Sequence, residues 1–155
     1  MERQNKGCQI STNSELLNIS FIHDFLCRHA YWAAGIPEET VRRSIEGSLC
    51  FGIYKEKQQI GFARVISDYA TFAYLADVFI TPEFQGNGYG KLLLQAILAH
   101  PKLQGLRRWM LVTGDAHGLY KKFGFTSPAH PERIMEIARP GLYLQNVVDK
   151  SLEKP

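Results

Sequence analysis

The feature that most constrains this chain is a glycine-rich turn between an apolar segment and an amphipathic one. Residues 75–80 read Leu-Ala-Asp-Val-Phe-Ile, glycines follow at positions 86, 88 and 90, and apolar residues recur at helical spacing from 92 to 98. Glycine permits a positive φ and a close approach of the backbone to a ligand. The amides that open a helix lack intrahelical partners and favour negative charge. The turn therefore predicts a site for a phosphate-bearing ligand.

The spacing of these glycines excludes two common phosphate sites. A P-loop that ended at Gly90 would need a glycine five residues earlier and a hydroxyl two residues later, but the chain has Gln85 and Leu92 there. A dinucleotide fingerprint that began at either of the first two glycines would place its third glycine where the chain has Lys91 or Leu93. Neither pattern fits.

The pattern that remains is Gln85-x-x-Gly88-x-Gly90 after a strand that leads into Thr81-Pro82. It resembles the coenzyme A pyrophosphate loop of the GNAT-type N-acetyltransferase superfamily, whose signature here is Gln/Arg-x-x-Gly-x-Gly/Ala. The resemblance implies that acetyl-CoA is the cofactor, with its pyrophosphate on the loop and its pantetheine arm on the preceding strand. It assigns cofactor binding to Val78, Phe79, Ile80, Gln85, Gly86, Asn87, Gly88, Tyr89, Gly90 and Lys91, and to Thr113 and Tyr120 of a second motif.

The second motif is residues 113–125, Thr-Gly-Asp-Ala-His-Gly-Leu-Tyr-Lys-Lys-Phe-Gly-Phe. It resembles the family pattern Asn-x-x-Ala-x-x-Leu-Tyr-x-x-x-Gly-Phe in register. The departure is Thr113, where the family has asparagine, so the polar contact to pantetheine falls to the Thr113 hydroxyl or to Asp115. Together the two motifs cover the chain from about residue 74 to residue 126.

The resemblance also implies how the acetyl group would be transferred. A neutral amine attacks the thioester carbonyl, so the developing oxyanion needs a hydrogen-bond donor and the leaving thiolate needs a proton. Backbone groups of residues 78–80 would polarise the carbonyl, and Tyr120 corresponds to the family's general acid. Its phenol can donate because an unperturbed tyrosine is protonated at neutral pH.

The sequence leaves two alternatives for the group that receives the proton of the amine, Asp77 and water. Asp77 lies within an apolar strand, where a carboxylate is costly unless it is paired or used. It is a candidate to hold the acceptor ammonium or to take its proton through water. A structural ion pair with Arg64 explains the same residue equally well, and water alone could serve as the base.

Tyr31 and Trp32 lie in the region that resembles the acceptor-side wall of the family. They could cover a cationic or aromatic acceptor. An aromatic pair near a helix end also favours the core, and we expect at least one of the two rings to be buried there. Both residues are predicted to bind the acceptor, together with Asp77.

Composition and charge exclude several other classes. The 155 residues are 45% hydrophobic and 21% charged, which is typical of one globular domain. A formal charge of +3 from scattered basic residues predicts binding to neither nucleic acid nor a membrane. No Gly-x-Ser-x-Gly elbow and no paired-histidine spacing occur, which argues against a hydrolase and against a metal site. Three widely spaced cysteines and no apolar run of membrane-spanning length favour a cytoplasmic protein.

The order of apolar patterns predicts one domain over residues 1–155, mobile at 1–6 and 150–155. We expect strands at 7–12, 49–54, 60–67, 71–80, 109–113, 125–126 and 134–138, and helices from the caps Asn13 or Ser14 to about 30 and over about 37–46, 91–100 and 116–123. This order predicts an α/β (α+β) fold with a mixed, mainly antiparallel sheet of six to seven strands and helices on both faces. A strand near 134–148 could pair across a homodimer.

These observations predict an N-acetyltransferase that moves the acetyl group of acetyl-CoA to a primary amine by direct attack in a ternary complex, without a metal. A small-molecule amine is favoured because the first half of the chain shows no acidic groove or peptide site. Two alternatives stay open, an acetyltransferase for a protein amine and a non-catalytic acyl-CoA-binding sensor. Tyr120 argues against the sensor, which needs no proton donor at the thiol.

Overall fold

The computed structural model describes residues 2–5 and 7–144, and its strands form one mixed sheet. Every strand lies beside its neighbour in the chain. All neighbours are antiparallel except the last two, which are parallel. The predicted mixed, mainly antiparallel sheet is thus confirmed. The strands are β1 (Glu2–Asn5), β2 (Cys8–Ser11), β3 (Leu49–Lys55), β4 (Gln58–Ser67), β5 (Phe72–Ile80) and β6 (Arg108–Met110).

The α-helices that lie wholly within the described residues are α1 (Ile19–Arg28), α2 (Glu38–Glu46), α3 (Tyr89–Leu98) and α4 (His117–Lys121). The first of these begins later than predicted. The side chain of Asn18 accepts a hydrogen bond from the backbone amide of Phe21 at 3.0 Å and so caps α1. Asn13, one of the predicted caps, instead caps a short 3₁₀ turn at Ser14–Leu16, and the extended backbone of Leu17 ends that turn.

Side chains alternate along the strands and divide the core between the two faces of the sheet. Phe51 and Ala63 join the cluster that contains the buried face of α3. Their strand neighbours Cys50 and Phe62 join a second cluster, formed with α1 and α2. Helices therefore pack on both faces of the sheet.

Two of the predicted strands, at 125–126 and 134–138, do not form. Phe125 instead ends α4, because its amide donates to the Tyr120 carbonyl at 3.2 Å and its ring contacts the Tyr120 ring at 5.9 Å. Residues 134–138 belong to no strand, and Ile137 is 93% exposed. Pro131 and Pro140 flank this segment and lack the amide that a strand ladder needs.

Other boundaries also differ from the prediction. β6 is shorter than the predicted 109–113 because the chain leaves the sheet after Met110, and Val112 is 78% exposed. α4 is shorter than the predicted 116–123 because its last turn tightens, with the amides of residues 122–124 each bonded to the carbonyl three residues earlier. Gly124, at a φ of +94°, then ends this turn. β1 forms from residues that were expected to be mobile. The predicted count of six to seven strands is not confirmed. Two of the predicted strands do not form, and β1 was not among the strands that were predicted.

The expectations for residues 1, 6 and 150–155, and for the part of the possible dimer strand at 145–148, lie outside the described residues. The single domain and the homodimer stay predictions. Within residues 2–5 and 7–144, none of the helices is long and apolar enough to cross a membrane.

Candidate active site

A gap opens beside β5, on the edge that faces β6. The two strands pair only from Phe72 with Arg108 to Tyr74 with Met110, whereas β5 continues to Ile80. Beyond Tyr74 this edge of β5 faces no strand among the described residues. Backbone groups on such an edge can hydrogen-bond an extended ligand as they would an added strand. The gap therefore suits a linear chain with amide groups.

A β-bulge interrupts the other edge of β5 at Asp77. Phe62 pairs with Phe79 and Arg64 pairs with Ala76, so β5 carries one more residue than β4 between these pairs. Asp77 has a φ of +54°, a conformation that is uncommon for a residue other than glycine. Bulges of this kind re-aim side chains and are frequent beside active sites.

The loop after β5 leaves the first amides of α3 available to a ligand. Gly86 and Gly88 both have a φ of +82°, and Gly88, the N-cap of α3, provides no side-chain hydrogen bond to these amides. A side chain at position 86 would meet no atom within 4 Å, so the glycine is needed there for its conformation. Lys91 lies exposed in the first turn. This arrangement favours an anion at the start of α3.

Side chains of the loop hold it from within. The Gln85 side-chain amide donates to the Ile80 carbonyl at 2.8 Å, and the Asn87 side-chain amide donates to the carbonyls of Phe84 and Gln85, each at 3.3 Å. Gly90 lies beside the second motif, since a Cβ there would be in ordinary van der Waals contact with Leu119, at 3.9 Å. These contacts fix the loop without occupying the first amides of α3.

Three of the predicted cofactor-binding residues face the interior. Phe79 stacks on Phe25 with a centroid distance of 3.9 Å, Ile80 belongs to the core, and Tyr89 is buried. The Tyr89 hydroxyl accepts a hydrogen bond from Lys55 Nζ at 3.1 Å. A ligand in the gap or at the loop would therefore meet these residues through their backbone. Val78 is partly buried against the same core.

The second motif begins with a cap and contains a buried phenol. The Thr113 hydroxyl accepts hydrogen bonds from the amides of Ala116 at 3.0 Å and Asp115 at 3.4 Å, and so fixes the start of α4. Tyr120 is 8% exposed and borders a cavity of about 640 Å³ between β6, α4 and the segment that follows α4. Burial raises the pKa of Tyr120 to about 12, and Asp115 and Tyr31 act in the same direction. The phenol therefore keeps its proton at neutral pH.

The aromatic pair lies in a 3₁₀ turn, Tyr31–Ala33, and neither ring is in the core. Tyr31 is 62% exposed and Trp32 is 45% exposed, so the expectation of at least one core ring is wrong. The rings meet edge to face with a centroid distance of 5.1 Å. The Tyr31 hydroxyl accepts a hydrogen bond from the Gly114 amide at 2.8 Å, and Trp32 Nε1 donates to Asp77 Oδ1 at 2.9 Å.

The Asp77 carboxylate has a partner at each oxygen. Arg64 Nε donates to Oδ2 at 2.9 Å while Trp32 occupies Oδ1, and a second nitrogen of Arg64 donates to Ser48 Oγ at 3.0 Å. The Arg64 ion pair is the structural partner that the sequence suggested.

Comparison with known proteins agrees with this geometry. A family model described as the acetyltransferase (GNAT) domain matches residues 46–127, which include β4, β5, the glycine loop and the second motif. The chain belongs to the GNAT family of acetyltransferases. A Gibberella zeae protein provisionally named an acetyltransferase is 35% identical over 135 residues, which cover 73% of this chain and 75% of that protein.

Solved structures of other acetyltransferases have the same fold. A crystal structure from Xanthomonas campestris, provisionally assigned to the GNAT family, is 54% identical and superposes with a TM-score of 0.86, covering 88% of this chain and 96% of that one. A GNAT family acetyltransferase from Elizabethkingia anophelis, solved with acetyl-CoA bound, is 17% identical with a TM-score of 0.62, covering 88% of this chain and 92% of that one. The second likeness shows the fold alone.

Several residues around the GNAT site gave no signal in the sequence. Gly114 carries no motif role, yet a Cβ there would lie 2.9 Å from the Tyr31 hydroxyl. Lys55 is the last residue of β3, and its hydrogen bond to Tyr89 of α3 depends on how the fold places β3 against that helix. Ser48 meets Arg64 only because α2 ends beside β3. Each contact joins residues far apart in the chain, so only the fold reveals it.

Two further observations concern Cys50 and metal ligands. Burial raises the pKa of the Cys50 thiol to about 12, which keeps this cysteine in its unreactive thiol form. Among the described residues, no group of three or more histidine, cysteine, aspartate or glutamate side chains is placed to hold a metal ion.

Proposed function

We propose that this GNAT acetyltransferase moves the acetyl group of acetyl-CoA to a primary amine of a small molecule, by direct attack in a ternary complex. The observation that carries the proposal is the gap beside β5, with the uncapped start of α3 after β5 and the buried Tyr120 phenol after β6. These three elements supply what acetyl transfer needs, namely a channel for an extended arm, an anion site and a proton donor.

Acetyl-CoA fits these elements. The amides that open α3 and the side chain of Lys91 would bind its pyrophosphate, and the glycines at 86 and 88 permit the approach. The edge of β5 at residues 78–80 would hydrogen-bond its pantetheine arm. Thr113 or Asp115 would make a further polar contact to that arm. The bound acetyl-CoA of the Elizabethkingia anophelis structure supports this choice of donor at the level of the fold.

The chain's own groups would then assist the transfer. A backbone amide of residues 78–80 would stabilise negative charge on the carbonyl oxygen. The N–C bond forms as the C–S bond breaks, and Tyr120 would give its proton to the leaving sulfur and regain one from solvent. Asp77 already has a donor at each oxygen, so we assign the proton of the amine to water.

A small-molecule acceptor is favoured by the space near the aromatic pair. A cavity of about 510 Å³ lies between Tyr31, Trp32 and the segment 137–144. Ligand cavities for small molecules have volumes of roughly 300–1,000 Å³. The described residues around this cavity thus favour a compact amine over an extended peptide.

The test is transfer from isotopically labelled acetyl-CoA to pools of small amines. Release of free CoA thiol and the mass of the labelled product are measured, with heat-denatured protein as the control. Release that depends on a pool, with a labelled N-acetyl product, would support the proposal. If acetyl-CoA raises the melting temperature but no pool gives release, the acceptor is a macromolecule or the domain is a sensor. If acetyl-CoA does not bind, the proposed donor is wrong.

A further inference from the structure

The Tyr31–Trp32 turn is fixed to both sides of the gap beside β5. Trp32 is hydrogen-bonded to Asp77 on β5, and Tyr31 is hydrogen-bonded to the Gly114 amide, which follows β6. Half-exposed rings normally sample several rotamers, but here each polar tip has one partner and the rings contact each other edge to face. The turn is therefore a preformed aromatic surface beside the place where the two strands separate.

The charge of Asp77 is already neutralised at this surface. Arg64 pairs with one carboxylate oxygen and Trp32 donates to the other. Both ionic side chains are mostly buried. These two short hydrogen bonds fix the carboxylate, so Asp77 is arranged to orient Trp32. By this geometry, Asp77 is a positioning residue for Trp32.

A cavity of about 510 Å³ extends from these rings to the segment 137–144. One end of that segment packs closely on the turn, since a Cβ at Gly35 would lie 3.3 Å from the Tyr143 carbonyl oxygen and 3.1 Å from the Leu144 side chain. Tyr143 also joins the core cluster of α1 and α2. The cavity thus has a floor that is fixed by packing, with Tyr31 and Trp32 as one wall.

Arg139 is the one charged side chain among the described residues that line this cavity. It is exposed, and the structure shows no ion pair between it and another described residue. A guanidinium binds carboxylate groups through two parallel hydrogen bonds, and aromatic rings pack on planar apolar groups. The cavity therefore pairs a site for an anionic group with a surface for an apolar one.

We propose that this cavity binds the acceptor, and that the acceptor is an amine that carries a carboxylate group and a planar apolar body. The carboxylate would contact Arg139, the body would pack on Trp32 and Tyr31, and the amine would then point toward the gap beside β5. The inference rests on the proposed function, because it names the acceptor class for the same reaction.

The probes are phenylalanine and phenylalaninamide, which share a ring and an amine and differ in the carboxylate. Both are compared above the pKa of either amine, so that each is neutral, and comparison with the variant cancels the difference in their intrinsic reactivity. The ratio of kcat/KM for phenylalanine to that for the amide should be about tenfold larger in the wild type than in Arg139→Gln, which is the effect of one charged contact. The Arg139→Gln variant should keep the wild-type KM for acetyl-CoA.

Arg107→Gln is the matched control, because Arg107 is also exposed but lies beside the start of β6. It should keep the wild-type ratio. A wild-type ratio that survives in Arg139→Gln would overturn the inference and leave the proposed function intact.

Direct binding covers the case in which neither probe is acetylated. With Trp109→Phe as background, the fluorescence of Trp32 should change saturably with phenylalanine and not with phenylalaninamide. The absence of a saturable change overturns the inference. Failure of acetyl-CoA to raise the melting temperature is a separate result, and it counts against the proposed function itself.

Discussion

The proposed cofactor side and the proposed acceptor side of this site are built in different ways. Most of the cofactor side is one continuous stretch, from the edge of β5 through Gly86 and Gly88 to the first turn of α3, and only the second motif adds a separate contact. The acceptor side joins four separate parts of the chain, because hydrogen bonds of 2.8–2.9 Å link the Tyr31–Trp32 turn to Gly114 and Asp77, and Asp77 to Arg64. A site formed by local backbone geometry leaves a spacing in the sequence, whereas a site formed by distant contacts does not.

The largest effect is expected at Tyr120, which lies between the two sides. Tyr120→Phe removes the proposed proton donor and should lower kcat by about a hundredfold or more, while the Kd of acetyl-CoA stays close to that of the wild type. Steady-state kinetics and calorimetry measure the two quantities. A loss of affinity equal to the loss of rate would instead give Tyr120 a binding role.

Tyr54→Phe is the matched control for this variant. Tyr54 is also buried, burial raises its pKa to about 12, and its hydroxyl has no hydrogen-bond partner among the described residues. Removal of an unsatisfied buried hydroxyl should leave stability unchanged or raise it, with activity unchanged. Equal losses of activity in the two variants would show that buried hydroxyls matter here only through packing.

The next prediction separates an effect on acetyl-CoA binding from the general cost of backbone strain. Gly86→Ala and Gly105→Ala both place a side chain at a positive φ, +82° and +73°, where no atom lies within 4 Å. Each should lower the free energy of unfolding by about 1–2 kcal/mol. Only Gly86→Ala should also weaken acetyl-CoA, by roughly tenfold, because it disturbs the anion site. Similar affinities for both variants in calorimetry would remove the loop from the cofactor site.

A smaller effect is expected on the acceptor side. Asp77→Asn keeps an oxygen for Trp32 Nε1 but removes the charge beside Arg64. The KM of the acceptor should rise by roughly tenfold or less, with the Kd of acetyl-CoA and the acid limb of the pH profile unchanged. Loss of that acid limb together with a fall in kcat would make Asp77 the general base, contrary to its placement as a positioning residue.

The smallest expected effect concerns the rate at high pH, which should not fall near pH 10. The pKa of Tyr120 is raised to about 12, so its phenol stays protonated well above the ordinary tyrosine pKa of about 10. The rate should therefore rise as the acceptor amine loses its proton and should not decline near pH 10. If the rate of the wild type declined near pH 10 and that of Tyr120→Phe did not, the pKa of the Tyr120 phenol would be unshifted, contrary to this prediction.

The same contrast explains what the sequence could predict. Gly88, Gly90 and Tyr120 lie at fixed spacings within local motifs, so the loop, its helix and the family could be predicted. The predictions of strands at 125–126 and 134–138 were wrong, because an apolar run does not show whether another strand is available to pair with it. The ring positions of Tyr31 and Trp32 were wrong for a related reason, since their partners Gly114 and Asp77 are remote in sequence.

The most direct measurement is the crystal structure of this acetyltransferase with coenzyme A. The account predicts that the pantetheine arm lies in the gap beside β5, hydrogen-bonded to the backbone of residues 78–80. The sulfur should lie within hydrogen-bond reach of the Tyr120 hydroxyl, and the pyrophosphate should contact the amides from Gly86 to Lys91. An arm that lies elsewhere, or a sulfur remote from Tyr120, would contradict the account.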